Sequence, residues 1–377
     1  MSQPKHFLPI EGLRGWLAWA VVFSHIAYFS NFRHGILWPI LRDAGPTAVH
    51  VFIILSGFVI AHLVLERPEP YGAYLTRRFM RIFPVFAITC FVGYFANDLQ
   101  ATMLSQDFGD RGFAAVLSNI AASNHDYFWP HVMTHLTMLH SAISNAVLPF
   151  SEYAFNMPAW SISLEWQFYL IAPFAVLLAQ RAPWAVNVSI IVLVGHMLYR
   201  REWFGNFSQP GLLFASAEYF AIGIASRFLY PMVAGAINKP ELVLPLFIVV
   251  YTFVGQGAVL LWFVIFLGLV AYPSPNNYFH KAYKWALESN VVVYFGSRSY
   301  SIYLSHILVI AGVQWFWLQI FSALPNLVAL TVMTLLATTV TAELLYRYVE
   351  RPGIQLGTIL VRRFQSAPVL TTVRILC

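Results

Sequence analysis

Charge is what this sequence has least of. Only 10% of its 377 residues are Asp, Glu, Lys or Arg, against about 25% in an average soluble domain. Apolar residues make up 59% and aromatics 17%, and mean hydropathy is +0.66. A soluble fold of this size leaves roughly a quarter of its unfolded surface in water, too much to conceal so apolar a chain. A soluble enzyme, a disordered chain and a secreted disulfide scaffold are all excluded. Cysteine is equally scarce. Cys90 and Cys377 are 287 positions apart, one in an apolar run and one as the last residue, so neither a disulfide framework nor a zinc spacing is present. No small-residue cleavage site follows the first apolar stretch, which reads as an uncleaved first helix. Internal repeats are missing too, which removes support for an inverted-repeat transporter. The net charge of +6 does not point to nucleic acid, because Lys and Arg collect in the cytoplasmic loops of multi-pass proteins.

What is there is a series of apolar runs long enough to cross a bilayer, about 20 residues each. They fall at approximately 12–31, 46–65, 78–97, 159–180, 184–200, 210–230, 241–255, 257–272, 299–321 and 326–348. The expected fold is an all-α polytopic membrane protein of about ten transmembrane helices. With both termini inside, 17 of the 22 basic residues lie inside or at the inner edge, leaving Arg33, Arg42, Arg111, Arg200 and Arg201 outside. That bias predicts an N-in, C-in chain. Residues 98–158 are too polar to span and are expected as one long outside connection, acidic and aromatic, with His125, His131, His135 and His140. Three of these histidines are able to share a face, but a polar vestibule wall is the preferred reading, and no metal is expected.

Ionisable groups inside spans are costly and mark function by default. The candidates are Arg14, His25, His50, His62, Glu165, His196, Glu218, Arg298, His306 and Glu343. Arg14 and His25 are eleven residues apart, about 16 Å along a helix and nearly three whole turns, so they share one stripe. Glu165 falls at a depth similar to His25, and the two are expected to pair, a carboxylate orienting an imidazole as general base. At the inner start of the third run stands Arg77-Arg78-Phe79-Met80-Arg81. Arg78 and Arg81 share a helix face, and the cluster reads either as positive-inside anchoring or, with Arg14, as a phosphate clamp.

These stretches carry a resemblance. Glu11-Gly12-Leu13-Arg14-Gly15-Trp16 through His25, Phe52 to Phe58 with its Ser56-Gly57-Phe58, Arg78 to Pro84, Trp160 to Tyr169, Ser299 to His306 and the closing Glu350-Arg351-Pro352 resemble, in order, the acyltransferase 3 family of membrane O-acyltransferases. The resemblance covers about residues 7–355, read as one membrane acyltransferase domain followed by a cytoplasmic tail, 356–377. It implies transfer of an acyl group, commonly acetyl, from cytoplasmic coenzyme A to a hydroxyl. It also implies His25 as the catalytic residue, Arg14 as its support, and Arg78 and Arg81 as ligands of the coenzyme phosphates. One departure is His50, where many members carry Asp ahead of the Ser-Gly-Phe motif.

The reading is therefore an O-acetyltransferase of the inner (plasma) membrane, embedded in the lipid bilayer. It uses acetyl-CoA as donor and a cell-surface glycan or lipid-linked sugar as acceptor. His25, Arg14 and Glu165 are its expected catalytic set, and Arg78, Arg81 and Arg14 its expected donor-binding set. His50, Ser56, Tyr300 and His306 are expected as substrate or support residues. With no long segment after the last run, a stand-alone enzyme is expected. The competing reading is a proton-coupled transporter or flippase of a lipid-linked sugar or small solute, using the buried His and Glu as a proton relay.

Overall fold

The computed structural model describes residues 8–30, 37–105, 111–234, 257–271 and 278–366. Among the described residues there are helices and turns and no strand. The helices are α1 Leu8–Phe29, α2 Trp38–Glu66, α3 Tyr71–Ser105, α4 Arg111–Asp126, α5 Phe128–Leu136, α6 Trp160–Ala179 and α7 Ala182–Arg200. They continue with α8 Ala217–Val233, α9 Gly257–Ala271, α10 Tyr278–Glu288, α11 Asn290–Ser297, α12 Ser299–Phe321, α13 Leu327–Leu345 and α14 Arg351–Ser366. A π-helical turn, Tyr346–Glu350, joins the last two.

Five segments are long and apolar enough to cross a membrane: Trp38–Glu66, Tyr71–Met103, Met157–Ala179, Ser299–Phe321 and Leu327–Arg363. Trp184–Arg200 and Gly257–Val270 are apolar but shorter. The helix α1 is not among the five, although it has 22 residues. It carries Arg14 and His25 inside its length, and those polar groups lower its mean apolarity. The run expected at 241–255 lies outside the described residues. What faces outward agrees with lipid. Along α13, Val328, Val332, Leu336, Val340 and Leu344 repeat every four residues, each more than half exposed. In water such a stripe would be an unexplained apolar patch; in a bilayer it meets acyl chains.

The core joins α1, α2, α3, α6, α8, α9 and α12 in one apolar cluster that includes Leu17, Ile54, Phe58, Phe86, Phe168, Phe220 and Trp262. Small residues set the closest contacts. A Cβ on Gly12 would lie 1.8 Å from the carbonyl oxygen of Leu287, and one on Gly57 would lie 2.4 Å from that of Phe220. Glycine lets α1 lie on α10 and α2 on α8 almost backbone to backbone, the packing usual for membrane helices.

The long connection expected at 98–158 is instead largely folded. The helix α3 continues through Ser105, and α4, α5 and a short 3-10 turn, His140–Ala142, follow. Leu117, Ile120 and Ala121 of α4 pack on Ala101 of α3. Those apolar positions recur at helical spacing within a polar stretch and form no continuous apolar run. His131, His135, His140 and Glu152 are all buried there. The rings of His135 and His140 stack 3.9 Å apart, and Nδ1 of His135 lies 2.7 Å from the carbonyl of His131. No group of these side chains among the described residues has the arrangement of a metal site. Glu152 accepts the backbone N–H groups of Ser208 (2.6 Å) and Gln209 (3.1 Å), tying this segment to the loop before α8.

Candidate active site

Successive antiparallel helices bring the start of α1, the end of α2 and the start of α3 to one end of the bundle. A cavity of about 620 Å³ opens there, lined by Arg14 from α1, Ser56 and Arg67 from α2, Arg78 and Arg81 from α3, Glu165 from α6 and Tyr300 from α12. Its volume falls within the range usual for small-molecule sites, about 300–1,000 Å³.

The electrostatics of this cavity differ from those of the rest of the molecule. Elsewhere Arg77 pairs with Glu69 at 2.9 Å, Arg298 with Glu343 at 2.5 Å, Arg347 with Glu343 at 2.6 Å, and Arg227 with Glu66. Arg14, Arg67, Arg78 and Arg81 have no ion pair and no side-chain hydrogen bond among the described residues. The Nε of Arg78 is buried without a partner, its guanidinium 5.9 Å from the Tyr169 ring. The charges acting most strongly on Arg81 are those of Glu350 and Glu11. Four guanidiniums without an ion pair, against the carboxylates of Glu11 and Glu165, give the cavity lining an excess of positive charge suited to a polyanion.

Glu165 does not meet His25. Its carboxylate accepts hydrogen bonds from Ser56 Oγ at 3.3 Å and from the Tyr169 hydroxyl. Equal depth therefore did not mean a shared contact: the face of α6 that carries Glu165 turns toward α2, not α1. Tyr169 is i+4 from Glu165, a spacing visible in the sequence. Tyr300 donates to the carbonyl of Ile82 at 2.6 Å, crossing from α12 to α3 while lining the cavity.

His25 is half-buried on α1 and pairs with His306 on α12. Nε2 of His306 lies 3.3 Å from Nδ1 of His25, and the ring centroids are 4.9 Å apart. Neither ring lines the cavity. The inner end of the cavity reaches Phe52, Ser161 and Tyr303, where the Ser161 and Tyr303 hydroxyls are 2.7 Å apart. Tyr303 stands one helical turn from His306, so the cavity ends within a turn of the imidazole pair. His50 belongs to neither group; its ring stacks on Tyr219 at 4.4 Å.

Several ionisable groups of the spans are accounted for by one another. Arg298 pairs with Glu343, and His196 lies 3.3 Å from Glu218. Nδ1 of His62 accepts from Arg227 at 3.0 Å. Glu350, part of the closing motif, is buried and accepts from Ser301 at 2.7 Å. It ends the π-helical turn, a local widening that recurs at functional sites.

The acyltransferase domain family matches residues 8–343. Peptidoglycan O-acetyltransferase OatA of Listeria monocytogenes is 25% identical over 92% of this chain and 56% of its own length. Acyltransferase MdmB of Streptomyces mycarofaciens is 23% identical over 80% of this chain and 78% of its own. O-acetyltransferase OatA of Staphylococcus aureus (strain NCTC 8325 / PS 47) is 22% identical over 93% and 58%. The chain thus spans little more than half the length of the two O-acetyltransferases. No solved structure matches it.

Proposed function

The chain belongs to the acyltransferase 3 family, and from that premise we propose that it is a membrane O-acetyltransferase drawing acetyl groups from acetyl-CoA. The observation that carries this reading is the cavity with its four unpaired guanidiniums. Coenzyme A brings a diphosphate and a phosphomonoester to such a site, and guanidinium forks bind phosphate oxygens two at a time. Arg78, Arg81 and Arg14 hold the phosphates, and the narrow pantetheine arm runs inward past Tyr300 toward Tyr303. A proton-coupled carrier of an uncharged solute has no use for unpaired cations of this number at one end of the bundle, whereas a flippase of a phosphate-bearing lipid is separated from the acetyltransferase by release of coenzyme A.

His25 acts as general base. An imidazole with an ordinary pKa of about 6.5 accepts and returns a proton near neutrality. It takes the proton of the acceptor hydroxyl as that oxygen attacks the thioester carbonyl. The carbon–sulfur bond then breaks, and the leaving thiolate receives the proton. The thioester passes Ser161 and Tyr303 to reach the imidazole. Glu165, held by Ser56 and Tyr169, contacts substrate in the cavity and does not orient the base.

The acceptor is a hydroxyl of a surface glycan or lipid-linked sugar, in keeping with the peptidoglycan named for the Listeria relative. The chain sits in the inner (plasma) membrane with about ten spans and both termini inside, which puts the arginine cavity on the side that holds acetyl-CoA. The acyltransferase domain runs from 7 to 355, and 356–377 is a cytoplasmic tail. Purified protein supplied with labelled acetyl-CoA and a glycan acceptor is expected to release coenzyme A and label the acceptor. Movement of a solute across proteoliposomes without consumption of acetyl-CoA contradicts the reading.

A further inference from the structure

We propose that His306 is a positioning residue that holds the proton of His25 on Nδ1, so that Nε2 of His25 is the atom that takes the acceptor proton. The inference rests on the reading of His25 as base and deepens it.

Hydrogen-bond donors and acceptors alternate along one line from the Tyr303 carbonyl through His306 to His25. Nδ1 of His306 lies 2.5 Å from the carbonyl oxygen of Tyr303. A carbonyl only accepts, so this nitrogen carries the proton. In a neutral imidazole the other nitrogen then holds the lone pair, and Nε2 of His306 is an acceptor. That acceptor faces Nδ1 of His25 at 3.3 Å. The carbonyl of Val21 faces the same Nδ1 at 2.9 Å. With acceptors on both sides, Nδ1 of His25 bears the hydrogen. Its lone pair is left on Nε2, which has no partner among the described residues.

The same line shows what steadies the charge. When Nε2 takes the hydroxyl proton, the ring becomes cationic. Its Nδ1–H then points at two acceptors already in place, the His306 lone pair and the Val21 carbonyl. Preset dipoles aimed at a developing charge need no reorganisation during reaction. Among the described residues no carboxylate lies within ion-pairing distance of either ring, so the imidazole performs the task a carboxylate performs in other His-based sites. Tyr303 couples this pair to the donor cavity, since its side chain lines the cavity end and its carbonyl anchors His306. The proton balance is closed: it leaves the hydroxyl, rests on Nε2, and goes to the coenzyme thiolate.

The test compares His306→Leu, which removes the acceptor, with His306→Gln, whose amide oxygen reaches a similar position, in detergent-purified protein. Recovery of folded protein is followed by gel filtration. His306→Leu is expected to lower kcat about 100-fold with KM for acetyl-CoA within twofold of the parent. It is also expected to move the acid limb of the kcat profile down by about one pH unit, because the cation has lost a partner. His306→Gln is expected to keep at least a tenth of kcat and to leave that limb within half a unit. Should His306→Leu not be recovered folded, His306→Gln alone decides, and a loss equal to that of His25→Ala overturns the proposal. Parental kcat and pH profile in His306→Leu, or equal losses in both variants, overturn it as well. If His25→Ala itself keeps full activity, the base reading fails first; if His25→Ala is inactive and His306→Leu is unaffected, only the role of His306 fails.

Discussion

Arg78 carries a buried Nε without a partner among the described residues, an open donor for a phosphate oxygen of the coenzyme. A hydrogen bond to a charged group contributes about 1.5–3 kcal/mol. Arg78→Ala and Arg81→Ala are each expected to raise KM for acetyl-CoA about 10- to 100-fold with a smaller effect on kcat, measured by steady-state kinetics. An unchanged KM would return these residues to simple membrane anchoring. The arginines were legible in the sequence because charge is so rare in its spans. The partner of His25 was not. Residue spacing gives depth along a helix, whereas the direction a helix faces depends on the packing of its neighbours. Glu165 has the right depth and the wrong azimuth, and it bonds Ser56 and Tyr169 instead. The imidazole that meets His25 is His306, 281 positions away, a pairing no local spacing reveals.

At the scale of elements, apolar run length located helices well. Nine of the ten expected runs overlap described helices, five of them with segments long and apolar enough to cross a membrane, and the run at 241–255 lies outside the described residues. Run length does not mark α4, whose apolar residues are spaced among polar ones. The helical periodicity of the sequence from His131 to Val147 is realised as an α-helix only at its start, to Leu136 in α5. Burial of the polar groups in that segment has a consequence in acid. Burial lowers the pKa of His131 to about 4 and of His135 to about 3, and holds His140 well below its ordinary value. Between those values and about 6.5 the unfolded chain binds protons that the folded segment does not, so stability falls as pH falls through that window. Burial of Glu152 acts in the opposite sense. Its pKa is raised to about 7, so its contribution declines as pH rises toward 7. Three imidazoles outweigh one carboxyl. Thermal unfolding is therefore expected to give a lower Tm at pH 4.5 than at pH 7, and a steeper dependence in Glu152→Gln; a Tm that rises in acid contradicts this burial. The close helix contacts also predict a cost. Overpacking costs about 1–3 kcal/mol and sometimes more. Gly223→Val, whose Cβ would lie 2.0 Å from the Ile54 carbonyl, is expected to reduce the yield of folded protein and its Tm in detergent.

At the scale of the whole molecule, the scarcity of charge and the placement of chemistry are the same fact. Elsewhere in the bundle Arg77, Arg227, Arg298 and Arg347 are each paired with a carboxylate. The four around the cavity are not, and the imidazole pair lies beyond the inner end of that cavity. A donor entering by its phosphates at one end and an acceptor meeting His25 farther in would place the two substrates on opposite sides of one bundle. Oriented proteoliposomes test this most directly, with labelled acetyl-CoA on the arginine side and the glycan acceptor on the other. Labelled acceptor is expected, with one coenzyme A released per acetyl transferred, and no label with His25→Ala. Equal labelling by His25→Ala, or acceptor movement with no coenzyme A released, would contradict this arrangement.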